Sequence, residues 1–171
     1  MNMTTNTSRP ATDAVIAQHR QLTETLPFAD EQDFEDAHRG FIAALSPAVV
    51  KAADGRVAWD NDSYAFLDGE APDTVNPSLW RQSKLNIIQG LFEVVPGIYQ
   101  IRGLDLSVMT VIEGERGVIV VDPLISSETA AAAMGLYREH RGDRPVTAPR
   151  SSEAHAARSA PDSARRRPWV R

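Results

Sequence analysis

The side chains that could bind a metal ion are few and widely spaced in this sequence of 171 residues. Cysteine is absent, which excludes disulfides, thiolate metal ligands and a cysteine nucleophile. At least 15 residues separate any two histidines, so none form the short-range ligand pair typical of zinc sites; they are His19, His38, His140 and His155. From spacing alone we predict no metal ligand and no catalytic residue in this chain.

Four large aromatic residues lie at wide, irregular spacing among polar residues: Trp59, Tyr64, Phe66 and Trp80. They could line a pocket for a long alkyl chain, because small-molecule pockets are mostly apolar. The alternative is that they pack in the core or anchor loops, which is the commoner fate of such residues. We keep Trp59, Tyr64 and Trp80 as candidates for lining a substrate pocket.

The charge is divided unevenly along the chain. Residues 149–171 carry a net charge of +4, so the total of −5 leaves −9 for residues 1–148. The arginine run at 165–167, with Trp169 beside it, could attract nucleic-acid phosphates. The acidic body opposes such binding. We therefore expect no nucleic-acid partner, and a disordered Arg/Ala/Ser/Pro tail over 149–171.

The composition of the first residues and the hydropathy pattern predict in which cellular compartment the protein is located. Residues 1–12 are rich in Asn, Thr and Ser, which predicts a disordered leader without the apolar core of a secretory signal. No window approaches the ~20 apolar residues of a membrane helix. The expectation is a cytoplasmic protein with no membrane partner.

The first half of the chain has helical periodicity. A short helix is predicted over 14–26, and a second is predicted to start at Asp30, with Phe34, Ala37, Phe41, Ile42 and Leu45 on its buried face. Residues 56–75 are interpreted as an ordered loop. A third helix is predicted over 78–89, capped by Asn76-Pro77 and stopped by Gly90. Residues 13–90 are thus predicted to be a helical lead-in with an ordered loop.

The pattern changes to that of strands at residue 91. Strands are predicted at 91–95 and 98–102, joined in a hairpin by Pro96-Gly97, and at 107–113 and 117–121, the last of them buried on both faces. A helix capped by Ser126 or Ser127 and closing near Gly142 follows, and residues 145–148 begin another strand. Residues 91–148 therefore predict one sheet with a covering helix, in an α+β fold.

Several segments, in this order along the chain, resemble the N-terminal portion of the linear (primary) alkylsulfatases of the metallo-β-lactamase superfamily. They include residues 73–82, 90–94, 97–103, 105–107 and 119–123. The resemblance covers roughly residues 20–148. It implies an αββα sandwich, of which this chain would hold the N-terminal helices, the first β-meander and its covering helix, with the remainder truncated.

The same resemblance implies zinc-dependent hydrolysis of alkyl sulfate esters. Members of the family continue from the position of Ala148 with a strand and a His-x-His-x-Asp-His loop that binds two zinc ions, and this loop is absent here. Such an ester needs a metal that supplies hydroxide and neutralises the sulfate charge. We expect a truncated family member that binds no zinc and is inactive alone, with a frameshift near codon 149 as our hypothesis for the tail.

An alternative function is a non-catalytic interaction module that pairs with a separately encoded catalytic half. Without the second half of the sandwich, strands at 109–112 and 118–121 would leave apolar surface and unpaired edges uncovered. Self-association through the exposed sheet and poor solubility are the expected consequences.

Two residues acquire a possible role from the resemblance. In metallo-β-lactamase folds the Asp that closes the strand, here Asp122, lies near the metal centre and orders its surroundings. The alternative is that Asp122 only anchors the turn before the next helix. Val108 stands where the family often has Asn, so either a polar contact is lost or a β-branched residue simply suits the strand.

Overall fold

The chain contains runs of helices and runs of strands in an α+β arrangement, as predicted. The computed structural model describes residues 9–150, with side chains as far as Thr147. Its elements in chain order are α1 (Asp13–Thr25), α2 (Gln32–His38), β1 (Phe41–Ala43), β2 (Val49–Lys51), β3 (Val57–Asp60), a 3₁₀ helix (Asp62–Asp68), α3 (Pro77–Asn86), β4 (Gly90–Val95), β5 (Ile98–Arg102), β6 (Met109–Glu113), β7 (Val118–Val121), α4 (Ser127–Arg141) and β8 (Val146–Arg150).

The described residues divide into two compact units. The first contains the residues before Gly40 together with Asn61–Ile88, and it is built from α1, α2, α3 and the 3₁₀ helix. The second contains Gly40–Asp60 and the residues from Gln89 onward, and it holds all the described strands and α4. Residues 40–60 therefore lie with the sheet, although the sequence places them in the helical lead-in.

Two helices of the first unit begin where the sequence predicts. The Thr12 hydroxyl accepts a hydrogen bond from the Val15 amide at 3.4 Å at the start of α1. The Asn76 side chain accepts from the Ser78 amide at 2.9 Å, and Pro77 occupies the first position of α3. Helix α3 ends at Asn86 rather than at Gln89, since Gly90 is the first residue of β4 and not a helix stop.

The helix predicted from Asp30 through Leu45 is wrong beyond His38. Helix α2 ends there, and Phe41–Ala43 is a strand that pairs antiparallel with β4. Gly40, with φ of +73°, turns the chain, and its carbonyl accepts a 2.7 Å hydrogen bond from the Glu93 amide. Pairing with a strand distant in sequence thus overrides the local helical spacing.

The ordered loop predicted over residues 56–75 contains regular structure. Strand β3 pairs with β2 in a two-stranded antiparallel sheet, with Val50 opposite Trp59. The 3₁₀ helix follows directly after β3. The prediction missed both because neither the strands, of three and four residues, nor the 3₁₀ helix is long enough to show a clear period.

The main sheet has six strands in the order β1-β4-β5-β6-β7-β8. Its neighbours are antiparallel except for β7 and β8, which are parallel and are connected through α4. The predicted hairpin of β4 and β5, the two strands after it, and a strand beginning near Val146 are confirmed. In this arrangement β5 ends, β6 begins and β7 ends at the same edge of the sheet.

One face of this sheet forms the core with α4. The buried side chains are Leu91, Tyr99, Ile101, Leu104, Met109, Val111, Val118 and Val120 from the sheet and its loop, and Ala133, Leu136 and Tyr137 from α4. Burial of each large aliphatic or aromatic side chain contributes about 1.5–3 kcal/mol. Helix α4 begins with the predicted cap, a reciprocal pair of hydrogen bonds between Ser126 and Thr129, and ends at Gly142.

The prediction that residues 118–121 are buried on both faces is wrong. Val118 and Val120 are buried, whereas Ile119 is 36% exposed. Alternate side chains of a strand point to opposite faces, and only one face of β7 packs against α4. The apolar run therefore does not indicate a strand buried on both faces.

No helix among residues 9–150 is both long enough and apolar enough to cross a membrane. The predictions for residues 1–8, for the tail after Arg150, for His155 and for the arginine run at 165–167 lie outside the described residues.

Candidate functional site

The candidate site is the edge of the main sheet at which β5 ends and β6 and β7 meet. The β5–β6 loop (103–108) and the β7–α4 loop (122–126) both leave from this edge. In the pairing of β6 with β7, Thr110 lies opposite Val121, so that Asp122 directly follows the last paired residue of β7. The two loops together are called the loop pair below.

Asp105 joins the loop pair through both oxygens of its carboxylate. Its Oδ1 accepts a 2.7 Å hydrogen bond from the Ser107 amide within its own loop. Its Oδ2 accepts from the Ile125 amide at 2.8 Å and from the Thr129 hydroxyl at 2.8 Å. Thr129 is only 2% exposed, which shields this bond from water. Hydrogen bonds to a carboxylate contribute about 1.5–3 kcal/mol each, so Asp105 is a strong tie between the loops.

Asp122 lies in a strained turn directly after β7. Its φ is +53°, and that of Leu124 is +70°, a region that non-glycine residues rarely adopt. The Leu124 amide donates a 2.8 Å hydrogen bond to the Asp122 carbonyl, closing a tight turn. Among the side chains described, which extend to Thr147, the half-buried Asp122 carboxylate has no hydrogen-bond or ion-pair partner. The turn is thus anchored by Asp105, which the sequence did not single out.

Apolar side chains project from the loop pair into solvent. Leu106 is 83% exposed and Ile125 is 66% exposed. Val108, at the position where the family resemblance leads us to expect Asn, is 41% exposed. Its side chain therefore does not pack in the core, and Val108 directly precedes β6 and does not lie within the strand.

Trp59 supports the same loop pair from β3. Its indole Nε1 donates a 3.1 Å hydrogen bond to the Gly103 carbonyl, and its ring is half-buried. The contact gives Trp59 an anchoring function at the base of the β5–β6 loop.

The other aromatic candidates lie in the first unit. Tyr64 and Phe66 are exposed, and Phe66 lies between Tyr64, at 6.3 Å between ring centroids, and Trp80, at 5.9 Å. Trp80 also donates from Nε1 to the Gly69 carbonyl at 3.1 Å. The structure thus brings together Tyr64 and Trp80, but Trp59 belongs to the second unit.

A cluster of charges lies at the opposite end of β6. The Glu113 carboxylate accepts hydrogen bonds from Tyr137 at 2.8 Å and from Arg141 at 3.2 Å, and Arg144 lies at 3.7 Å. Burial raises the pKa of Glu113, but the hydrogen bonds from Arg141 and Tyr137 and the two arginine charges outweigh it, so the pKa lies below 4.5. Burial and the bond to Glu113 raise the pKa of Tyr137 well above its ordinary range.

The described histidines do not assemble a metal site. A ring nitrogen of His19 lies 2.9 Å from the Asp73 carbonyl, and one of His38 lies 2.7 Å from the Phe34 carbonyl. His140 is exposed in the last turn of α4. Within residues 9–150 no three His, Asp or Glu side chains could hold a metal ion together. The residues described do not fit a zinc centre, and the expectation that this chain binds no zinc stays a prediction.

Comparison with known proteins shows strong similarity to sulfatases. The chain is 52% identical over 151 residues to a linear primary-alkylsulfatase of a Pseudomonas species, covering 87% of this chain and 22% of the relative. It is 49% identical over 149 residues to an (R)-specific secondary-alkylsulfatase of a Pseudomonas species, covering 86% and 22%. An alkyl/aryl-sulfatase of Saccharomyces cerevisiae is 46% identical over 134 residues, covering 78% and 21%. No model of a protein family matches the chain.

A solved structure has the same fold over this region. The stereoselective inverting sec-alkylsulfatase of a Pseudomonas species superposes with a TM-score of 0.79 at 50% sequence identity, covering 83% of this chain and 22% of that protein. The fold is therefore that of a region of a sulfatase. The chain is a homologue of the alkylsulfatases, as its sequence segments predict. It spans about a fifth of the length of the curated relatives it matches.

Proposed function

We propose that this chain provides the first sheet, its covering helix and the lead-in helices of a zinc-dependent alkyl-sulfate ester hydrolase of the metallo-β-lactamase superfamily, and that it does not hydrolyse the ester alone. The observation that carries the proposal is the 50% identity, with a TM-score of 0.79, to a solved sec-alkylsulfatase over most of this chain. Proteins that are 50% identical share their backbone fold and their core packing. In our proposal this framework is what the region contributes to the enzyme.

The proposed lack of activity in the isolated chain rests on its sequence. The resemblance implies a family that uses zinc, which when bound would supply hydroxide near neutral pH and neutralise charge on the sulfate. The His-x-His-x-Asp-His sequence that the resemblance associates with zinc does not occur in this chain. The three described histidines, His19, His38 and His140, lie in three different helices. In the proposed hydrolase the zinc ligands therefore come from residues other than those described.

The proposed contribution of this chain to the reaction is positional. Asp122 lies at the edge of the sheet, on a backbone that the loop pair keeps in a left-handed conformation, and its carboxylate has no partner among the side chains described as far as Thr147. Strained residues of this kind concentrate at active sites and ligand contacts. In our proposal Asp122 orders the surroundings of the reacting centre.

A second contribution is contact with the alkyl chain of the substrate. Tyr64 and Trp80, bridged by Phe66, offer aromatic surface in the first unit. The rings of Tyr64 and Phe66 are accessible, since these residues are 42% and 62% exposed. We therefore keep Tyr64 and Trp80 as candidates for lining the substrate pocket. Trp59 remains a weaker candidate because its hydrogen bond to Gly103 already explains its position.

The decisive experiment is complementation. The purified chain is incubated with zinc and dodecyl sulfate, alone and together with a separately expressed polypeptide that matches the remaining four fifths of the linear primary-alkylsulfatase. We expect release of inorganic sulfate only from the mixture. Hydrolysis by the chain alone would refute the proposed inactivity, and a folded mixture without hydrolysis would refute the contribution to the enzyme. A mixture in which this chain carries Asp54→Asn serves as the control. Asp54 is exposed and is distant in sequence from the loop pair.

The alternative function is a non-catalytic interaction module. It is favoured by the apolar side chains on the sheet face away from α4, where Phe41 is 48% and Ile119 is 36% exposed. Under this alternative the chain binds the complementary polypeptide, or a second copy of itself, through that face. Binding of the complementary polypeptide without any gain in sulfate release would support the module over the hydrolase.

A further inference from the structure

We infer that Asp105 is a positioning residue that holds the backbone of Asp122 in its left-handed conformation at the sheet edge. The inference rests on the proposed function, because it assigns Asp105 to the reacting centre near which Asp122 is proposed to lie. It goes beyond that function by naming the group that fixes the geometry of Asp122.

The first argument is the position of the three hydrogen bonds. Asp105 is anchored to its own loop by the Ser107 amide at 2.7 Å, so that the direction of its carboxylate is set locally. The other oxygen then receives the Ile125 amide at 2.8 Å. Ile125 directly follows Leu124, which has φ of +70° and closes the tight turn on Asp122. The bond from Asp105 therefore acts at the end of the strained turn.

The second argument is the energy of the strained segment. Two non-glycine residues at positive φ cost roughly 1–3 kcal/mol each and persist only where the surroundings over-determine them. The Asp122 carboxylate accepts no hydrogen bond from the backbone of its own turn, residues 122–126. Of the described side chains, that of Asp105 is the one that hydrogen-bonds to the backbone between Asp122 and Ile125. Asp105 is therefore the group that offsets the strain.

The third argument is the rigidity of the base on which Asp105 acts. Its third partner is the hydroxyl of Thr129, which is 2% exposed and also completes the cap of α4 with Ser126. Helix α4 packs its Ala133, Leu136 and Tyr137 side chains into the core. The carboxylate thus connects the strained turn to the most deeply packed helix of the second unit. A bond to a packed helix restrains a loop more strongly than a bond to another loop.

The test begins with amide hydrogen exchange on the full chain. Asp105→Asn places a donating nitrogen where one of the two accepting oxygens stands, whichever way the amide is turned. Thr129→Val removes the hydroxyl, and Thr129→Ser restores it in a slightly smaller side chain. We expect Asp105→Asn and Thr129→Val to raise exchange over residues 122–126 about tenfold or more, and Thr129→Ser to leave it near the wild-type rate.

Asp54→Asn is the matched control for exchange. The Asp54 carboxylate also accepts a backbone amide two residues ahead, that of Arg56 at 3.0 Å, but lies in the turn between β2 and β3. We expect this variant to leave exchange over residues 122–126 unchanged. Unchanged exchange in Asp105→Asn as well would overturn the inference, whatever the activity of any mixture.

The kinetic part separates positioning from a general effect on folding. In the mixture with the complementary polypeptide, Asp105→Asn and Asp122→Asn are each expected to lower kcat about 10- to 100-fold with little change in KM. The double variant is expected to be no slower than Asp122→Asn alone, because Asp105 acts through Asp122. Multiplicative losses in the double variant would overturn the inference. If the wild-type mixture shows no hydrolysis, the proposed function fails, and hydrogen exchange alone decides whether Asp105 positions Asp122.

Discussion

The hydroxyl of Tyr137 donates a 2.8 Å hydrogen bond to the carboxylate of Glu113, which joins the middle of α4 to the end of β6. Tyr137 is fully buried and the Glu113 side chain is 10% exposed. Arg141 completes the contact, because its guanidinium binds Glu113 and lies 4.5 Å from the centre of the Tyr99 ring. This pair fixes α4 on the sheet at the end opposite to the loop pair, so the two ends of the helix have separate polar anchors.

Tyr137→Phe is expected to lower the free energy of unfolding by roughly 1.5–3 kcal/mol, since a hydrogen bond to a charged group is lost while the ring stays in place. Urea unfolding followed by circular dichroism measures the loss. Tyr99→Phe is the matched control, because Tyr99 is equally buried but its hydroxyl lies 3.5 Å from Glu93. Equal losses in the two variants would show that the bond to Glu113 has no special weight.

Glu113 predicts a pH dependence of stability. The pKa of Glu113 in the folded chain lies below its ordinary value of 4.5, so the folded state releases this proton more readily than the unfolded state. The stabilisation is therefore fully present above pH 4.5 and is lost as the pH falls through the lowered folded pKa. Unfolding midpoints of the wild type and Glu113→Gln, measured from neutral to acidic pH, should converge at low pH. A constant difference would contradict this linkage.

Gly117→Ala is expected to destabilise the pairing of β7 with β8. Gly117 has φ of +155°, and a Cβ there would overlap the carbonyl oxygen of Pro145, which precedes β8. We expect faster hydrogen exchange in β8 and a loss of about 1–3 kcal/mol. Gly135→Ala is the control, because nothing lies within 4 Å of its Cβ position and the site is helical. That change should stabilise the chain by up to about 1 kcal/mol.

Trp59→Phe is expected to loosen the β5–β6 loop while keeping an aromatic ring in place. The Gly103 carbonyl loses its 3.1 Å bond from the indole, at a cost of about 1 kcal/mol. Hydrogen exchange over residues 103–108 should rise. Trp80→Phe removes the same kind of bond, to Gly69 in the first unit, and should leave that loop unchanged. If hydrogen exchange over residues 103–108 does not rise in Trp59→Phe, the bond to Gly103 does not explain the position of Trp59. Trp59 then becomes a stronger candidate for contact with the substrate.

The exposed apolar face predicts association of the isolated chain with itself. Ile119 lies on that face in β7, with Ile112 of β6 directly opposite. Sedimentation velocity over a range of protein concentrations should show larger species in the wild type and fewer in Ile119→Lys, since a charge on an exposed strand opposes association. Val57→Lys, at an exposed apolar position in β3, outside the main sheet, is the control. A wild type that sediments as a monomer at all concentrations would contradict the prediction.

Much of the architecture follows from the sequence alone. The caps of α3 and α4 and the strands from residue 90 to residue 121 were predictable, because capping side chains and alternating apolar residues act over a few positions. The alkylsulfatase resemblance was visible in ordered segments and is confirmed by the comparisons. The strand character of residues 41–43 was not predictable, since it depends on a partner about fifty residues away.

The residues of the candidate site were likewise only partly predictable from the sequence. The family resemblance singled out Asp122 at the end of a strand, and residue type suggested the aromatic candidates, but neither assigned a role to Asp105 or Thr129. Only the tertiary structure brought Asp105 to Ile125 and Thr129, which lie 20 and 24 positions further along the chain, and assigned Trp59 to a different unit from Tyr64 and Trp80. A hydrogen bond to a carboxylate requires a separation near 2.8 Å and a suitable angle, and distances in sequence contain neither. The sequence by itself thus determined the elements and the ancestry, whereas the packing of α4 on the sheet decided which side chains meet.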